Sequence, residues 1–175
     1  MNVTKMTMDE DELHYKDTEI RQILLDVKSI AIVGASSNWL RPSYSAMKYL
    51  LHKGYEVLPV NPKYANEKIL GQVTYSSLNS IDRPVDMIDI FRPSDVAQEV
   101  VNETLRNKSC LKTKVIWMQL GVKNQFAANL AKQKGIAVVM NRCPKIEYGR
   151  LMGELSWAGV NTGIISSKKL AFLND

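Results

Sequence analysis

The sequence predicts an open, doubly wound α/β fold: a mostly parallel sheet of five strands with helices on both faces. Two observations carry this. Short apolar runs rich in β-branched residues alternate with segments of helical periodicity through the middle of the chain, as repeated strand–helix crossovers require. The first run, Ser29-Ile30-Ala31-Ile32-Val33, breaks into Gly34-Ala35-Ser36-Ser37-Asn38 just ahead of a helical pattern. Strand, tight turn and helix in that order aim backbone N–H groups and the positive end of a helix dipole at one point above the strand.

Taken in order, residues 1–16 are polar and acidic and read as a flexible arm. Ile20, Ile23, Leu24 and Val27 then recur with helical spacing, with Asp17 or Thr18 as the expected cap. Ser29–Val33 is apolar on both faces, as a central parallel strand covered by helices must be. Pro42 suits a first helical position, Met47, Leu50 and Leu51 supply the buried stripe, and Gly54 stops the helix. Tyr55–Val60 is the second strand, closed by the turn Asn61-Pro62-Lys63. An irregular excursion around Ile69-Leu70-Gly71 and Val73-Thr74-Tyr75 precedes the third strand, Val85–Phe91. A helix from about Ser94 buries Ala97, Val100, Val101, Thr104 and Leu105. Lys114–Leu120 is the fourth strand. Ala127, Leu130 and Ala131 mark a helix closed by Gly135, and Ile136–Met140 is the fifth strand. Beyond Pro144 the pattern weakens. The expected organisation is an arm at 1–16, one domain at 17–155 and a loosely held tail at 156–175.

With 175 residues the chain can bury one good core and not a second. No apolar run approaches membrane-spanning length, and the N-terminus, with Asp9-Glu10-Asp11-Glu12, has no signal-like apolar stretch, so a cytoplasmic address is expected. Cys110 and Cys143 fit no CxxC pattern and read as reduced thiols. His14 and His52, the two histidines, lack metal-ligand neighbours, which argues against a metal site or a histidine-based triad. The net charge of +5 favours an anionic partner, but the basic residues are scattered, so neither nucleic acid nor a membrane is the expected partner.

In a doubly wound sheet the ligand lies beyond the carboxyl ends of the strands. Those ends are Gly34-Ala35-Ser36, Asn61-Pro62-Lys63, Phe91-Arg92-Pro93, Gln119-Leu120-Gly121 and Asn141-Arg142-Cys143-Pro144, several of them polar or cationic. A dinucleotide would require G-x-G-x-x-G after the first strand and an acid at the end of the second; the chain has Gly34 alone, and Asn61. No G-K-[ST] follows Gly34, and Asn38 replaces the closing glycine of a nucleophile elbow. Ser36 therefore reads as a hydroxyl for phosphate or as a plain turn residue.

Together the loop after Val33, Arg41-Pro42-Ser43, Val60-Asn61-Pro62, Asp89-Ile90-Phe91-Arg92, Trp117–Gly121 and Asn141–Lys145 resemble the single-domain CoA-binding protein family, from about Ser29 to Leu151. That family is similar to the CoA-binding domain of the succinyl-CoA synthetase alpha subunit. The resemblance implies a Rossmann-like fold and CoA or a short acyl-CoA as the small-molecule ligand. It places Gly34, Ala35, Ser36 and Arg41 at the pyrophosphate, and Asn61, Pro62 and Lys63 at the adenine and 3′-phosphate end. Phe91 and Arg92 then line the crevice, and Gln119 and Gly121 lie at the pantetheine arm. Arg41 reads as a phosphate contact in preference to a solvated surface arginine, whereas Lys63, Phe91 and Arg92 read equally as turn or surface residues. Cys143 reads either as a thiol facing the CoA thiol, with Arg142 favouring its thiolate, or as a small inert cysteine beside Pro144.

No catalytic residue transfers with the resemblance, so the expected role is binding rather than catalysis by the chain alone. Two alternatives stand beside it: a partner-dependent acyl-CoA or nucleotide transferase or ligase subunit, and a redox sensor forming a CoA mixed disulfide. A homo-oligomer or a protein partner is left open.

Overall fold

Apolar faces on both sides of the strands demand helices on both sides, and the chain supplies them. The structure, a computed structural model, describes residues 13–153. In chain order it contains α1 (Asp17–Asp26), β1 (Ser29–Val33), α2 (Pro42–His52), β2 (Glu56–Val60), β3 (Lys68–Ile69), β4 (Gln72–Val73), β5 (Met87–Ile90), α3 (Ser94–Arg106), α4 (Lys108–Leu111), β6 (Val115–Met118), α5 (Gln125–Gln133), β7 (Ala137–Val139) and α6 (Pro144–Leu151). The main sheet has five strands in the order β2-β1-β5-β6-β7, all paired in parallel. This is the Rossmann-like architecture the sequence predicts.

Alternation along the strands sorts the core into two layers. Ile30, Ile32, Met87, Trp117 and Val139 face one side, where Ile20 and Leu24 of α1 and Met47 and Leu50 of α2 close over them. Ala31, Ile88, Ile90, Ile116 and Met118 face the other, against Ala97 and Val101 of α3 and Ala127 and Ala131 of α5. Pro59 is tolerated because β2 is an edge strand, whose outer side carries, among the described residues, only the bridge from Val60 to Tyr75.

Several local expectations change. Neither Asp17 nor Thr18 caps α1: its N-cap is Lys16, and the Asp17 carboxylate instead accepts two hydrogen bonds from Arg150, at 2.8 and 2.6 Å. The excursion after β2 contains the hairpin β3–β4, whose two-residue turn places Leu70 at φ 49° and Gly71 at φ 80°, both in the left-handed region that a tight hairpin needs. Residues 13–16, expected as part of a flexible arm, are docked: the Tyr15 hydroxyl accepts from the Met140 N–H at 2.8 Å, and Arg142 donates to the Leu13 carbonyl at 3.3 Å. The rest of that arm, 1–12, and the expected tail at 156–175 lie outside the described residues.

The largest revision is α6, where the sequence pattern fades. Its buried residues are Pro144, Glu147 and Gly149, so no apolar stripe announces it. Polar and aromatic contacts hold it instead. Arg150 bonds Asp17 of α1 and Glu147 at 2.6 Å, and Tyr148 stacks edge-on against Tyr49 and Tyr55 at 6.0 and 6.1 Å between ring centroids. Arg150→Ala is expected to cost about 1–2 kcal/mol, because it removes both hydrogen bonds to the buried Glu147 carboxylate and leaves it only the looser pair with Arg142. Urea unfolding of the two proteins side by side measures it, and an unchanged midpoint would contradict this account of α6.

Candidate functional site

Three helices start at the carboxyl ends of strands, and their N-termini converge. Arg41, Pro93 and Cys143 are the N-cap residues of α2, α3 and α6, and all three line a single cavity of about 980 Å³. None of these helices has a side-chain cap hydrogen bond, and α2 carries no acid in its first turn. Uncapped N-termini leave partial positive charge directed at the space they face. Arg41, Arg92 and Lys145 add full positive charges to the same walls.

The cavity adjoins the switch point of the sheet, where the chain runs from β1 outward to β2 on one side and to β5 on the other. Gly34, at φ +92°, makes this crossing possible: a Cβ there would stand 2.9 Å from the Phe91 carbonyl oxygen and 3.0 Å from Arg92 Cδ. The Gly34 N–H is spent on the Val60 carbonyl at 2.9 Å, and Asn61 Nδ2 donates to the Ala35 carbonyl at 2.7 Å, so β2 braces the loop after β1.

Of the residues singled out from the sequence, Arg41, Phe91, Arg92, Gln119, Gly121 and Cys143 come together around the large cavity. Gly34, Asn61 and Pro62 border a smaller cleft of about 210 Å³ that shares Arg92 with it. Ala35, Ser36 and Lys63 line neither. Ala35 is wholly buried, Ser36 Oγ accepts from the Asn38 N–H at 3.1 Å, and Lys63 Nζ lies 5.4 Å above the Tyr64 ring.

Sequence reasoning missed Trp39 and Leu40, large apolar residues on the cavity wall that are 72% and 68% exposed. The adjacent pair Trp39-Leu40, outside any periodic pattern, was the available signal. It also assigned no role to Asp89, a carboxylate in an apolar strand. Asp89 is fully buried, and Gln119 Nε2 donates to both of its oxygens, at 2.9 and 3.1 Å. Burial pushes its pKa up to about 8, against the smaller opposing effect of the Gln119 hydrogen bond.

Burial also pushes the Cys143 thiol up, and the charge of Asp89 adds to that, while the N–H groups of Ile146 and Lys145 oppose it. The expected help from Arg142 is not there. Its guanidinium lies 5.7 Å above the Tyr15 ring and 3.8 Å from Glu147, committed to the docked segment and to α6.

A sequence profile described as CoA binding domain matches residues 28–149, which span the sheet from β1 to β7 and most of α6. The chain belongs to this CoA-binding domain family. Over 130 residues this CoA-binding domain protein is 37% identical to the uncharacterized protein YneT of Bacillus subtilis, covering 74% of this chain and 92% of that one. A hypothetical protein from Pyrococcus horikoshii OT3 shares its fold at a TM-score of 0.74 and 37% identity, over 84% of this chain and 98% of the other. The ADP-forming acetate–CoA ligase of Methanocaldococcus jannaschii is 33% identical over 88 residues, 50% of this chain but 12% of the ligase. The CoA-binding domain thus corresponds to a small part of that enzyme. Among the described residues no helix is long and apolar enough to cross a membrane.

Proposed function

We propose that this CoA-binding domain binds CoA or a short acyl-CoA across the ends of its strands and does no chemistry by itself. The observation that carries the reading is the convergence of three uncapped helix N-termini with Arg41, Arg92 and Lys145 on one cavity. An anionic ligand is what such a wall stabilises, and pockets for small organic molecules run to about 1,000 Å³. In this reading Arg92, common to both clefts, sits at the pyrophosphate with Arg41, and the adenosine end extends toward Gly34, Asn61 and Pro62. Gly34 contributes close approach rather than its own N–H, so the phosphate contacts fall to the helix N-termini and the two arginines. The pantetheine arm runs inward along Phe91 and Gly121 to Gln119 and Cys143. Lys63 remains a candidate for the 3′-phosphate from the rim.

Isothermal titration with CoA, dephospho-CoA and NAD tests this. CoA is expected to bind most tightly and NAD not at all, and Arg92→Ala is expected to weaken CoA about tenfold or more by removing a charge-assisted contact. Clear NAD binding without CoA binding would overturn the reading.

A second reading, a ligase or transferase subunit completed by a partner chain, is favoured by the alignment with part of an acetate–CoA ligase. It predicts that purified protein leaves acyl-CoA and nucleotides unchanged until a partner is added. The mixed-disulfide reading gains nothing from the buried Cys143, whose thiol is pushed away from ionisation.

A further inference from the structure

Asp89 occupies a costly position. Its strand neighbours in register are Ile32 and Trp117, both fully buried, and among the described residues it joins no ion pair. A buried carboxyl without a cation costs stability unless something else requires it. What it touches is Gln119, which is only 6% exposed yet lines the cavity. Both Asp89 oxygens accept from Nε2, so the nitrogen end of the Gln119 amide is turned to the strand and the oxygen end is left for the cavity. Gln119 makes no other side-chain hydrogen bond among the described residues. Its Oε1 is therefore an acceptor in a nearly closed wall, held in one orientation and lacking a protein donor.

We propose that Asp89 is a positioning residue that turns the Gln119 amide so that Oε1 faces the ligand, making the inner end of the cavity an acceptor for a secondary amide N–H. This rests on the CoA reading, and it names the part of the ligand concerned: an amide of the pantetheine arm, which is neutral and lies away from the phosphates. Asp89 touches no ligand atom itself. Without it the amide is free to rotate and present its NH2 group, which a ligand N–H cannot use.

The test is a cycle of Asp89→Leu, Gln119→Leu and the double variant, titrated with CoA and with adenosine 3′-phosphate 5′-diphosphate, which lacks the arm. Each single substitution is expected to weaken CoA about five- to thirty-fold and leave the nucleotide alone unchanged. The double variant is expected to be no weaker than either single one, since both remove the same hydrogen bond. Asp89→Leu replaces a buried carboxyl by an apolar group and is expected to fold. Asp89→Asn, which offers one acceptor in place of two and a donor that competes for Oε1, is the second variant and is read in the same way. Equal losses on both ligands, additive losses in the double variant, or unchanged CoA affinity in Asp89→Leu would each overturn the proposal. Failure of the unaltered protein to bind CoA would instead overturn the CoA reading, and this inference with it.

Discussion

Gly34→Ala is expected to destabilise the protein by at least about 2 kcal/mol, since two penalties coincide at this position. The backbone sits at φ +92°, where a side chain is strained, and the new Cβ would meet the Phe91 carbonyl oxygen at 2.9 Å. That oxygen is main chain and cannot swing aside as a flexible side-chain end does. Gly54 supplies the control: its φ is +87°, but nothing lies within 4 Å of where a Cβ would stand. Gly54→Ala therefore isolates the backbone penalty, about 1 kcal/mol, and the difference between the two variants measures the close contact. Urea unfolding gives both numbers. Equal losses at the two positions would mean that β1 and β5 can separate at their ends without cost, against the packing described for the switch point.

The second large effect is a dependence of stability on pH that traces to Asp89. Its folded pKa of about 8 lies above the ordinary aspartate value of 3.8, so between those limits the folded protein holds a proton that the unfolded chain has released. Stability is thus fully supported below about pH 4 and declines as pH rises through about 8, by a few kcal/mol in all. Asp17 and Asp86 have lowered pKa values, held down by Arg150 and by Lys114 with the Lys28 and Ser29 N–H groups. Their contribution runs the other way and is lost only as pH falls below the ordinary carboxylate range. The two windows do not overlap. In Asp89→Asn the decline between pH 5 and 8 is expected to vanish, leaving the variant more stable than the parent at pH 8. Thermal melts across that range decide it: parallel curves would show that Asp89 is ionised in the folded protein at neutral pH.

How far the sequence was readable follows from which force holds each element. β1, β2, β5, β6 and β7 were legible because their burial on both faces leaves an apolar run, and α2, α3 and α5 because one stripe packs on the sheet. α6 was not, since it is held by Arg150, Glu147 and Tyr148, whose partners Asp17, Tyr49 and Tyr55 lie far away in the chain. The same reason hid the docking of Tyr15. In the site, the strand-end rule found Phe91, Arg92, Gln119, Gly121 and Cys143, because where a strand ends is visible locally, and the family resemblance added Arg41. It could not separate the two clefts or see that Gly34 spends its N–H on Val60, which depends on how β2 lies beside β1. Asp89 stood in plain view within an apolar run, but its importance lies in the absence of a cation near it among the described residues, which only the folded neighbourhood reveals.

The register of the main sheet carries one more consequence, for the time the chain takes to fold. β1 is bonded on one side through Ser29 to Glu56 and on the other through Ile30 to Met87. Neither partner is joined to it by a hairpin: α2 separates it from β2 and still more chain from β5, and the hairpin β3–β4 lies outside this sheet. Every ladder that fixes the crevice must wait for a long loop to close, and the entropy of closure is spent before any strand pairing returns it. The helices can form early on local contacts, whereas the crevice between β1 and β5 takes shape only when β5 has closed back onto β1.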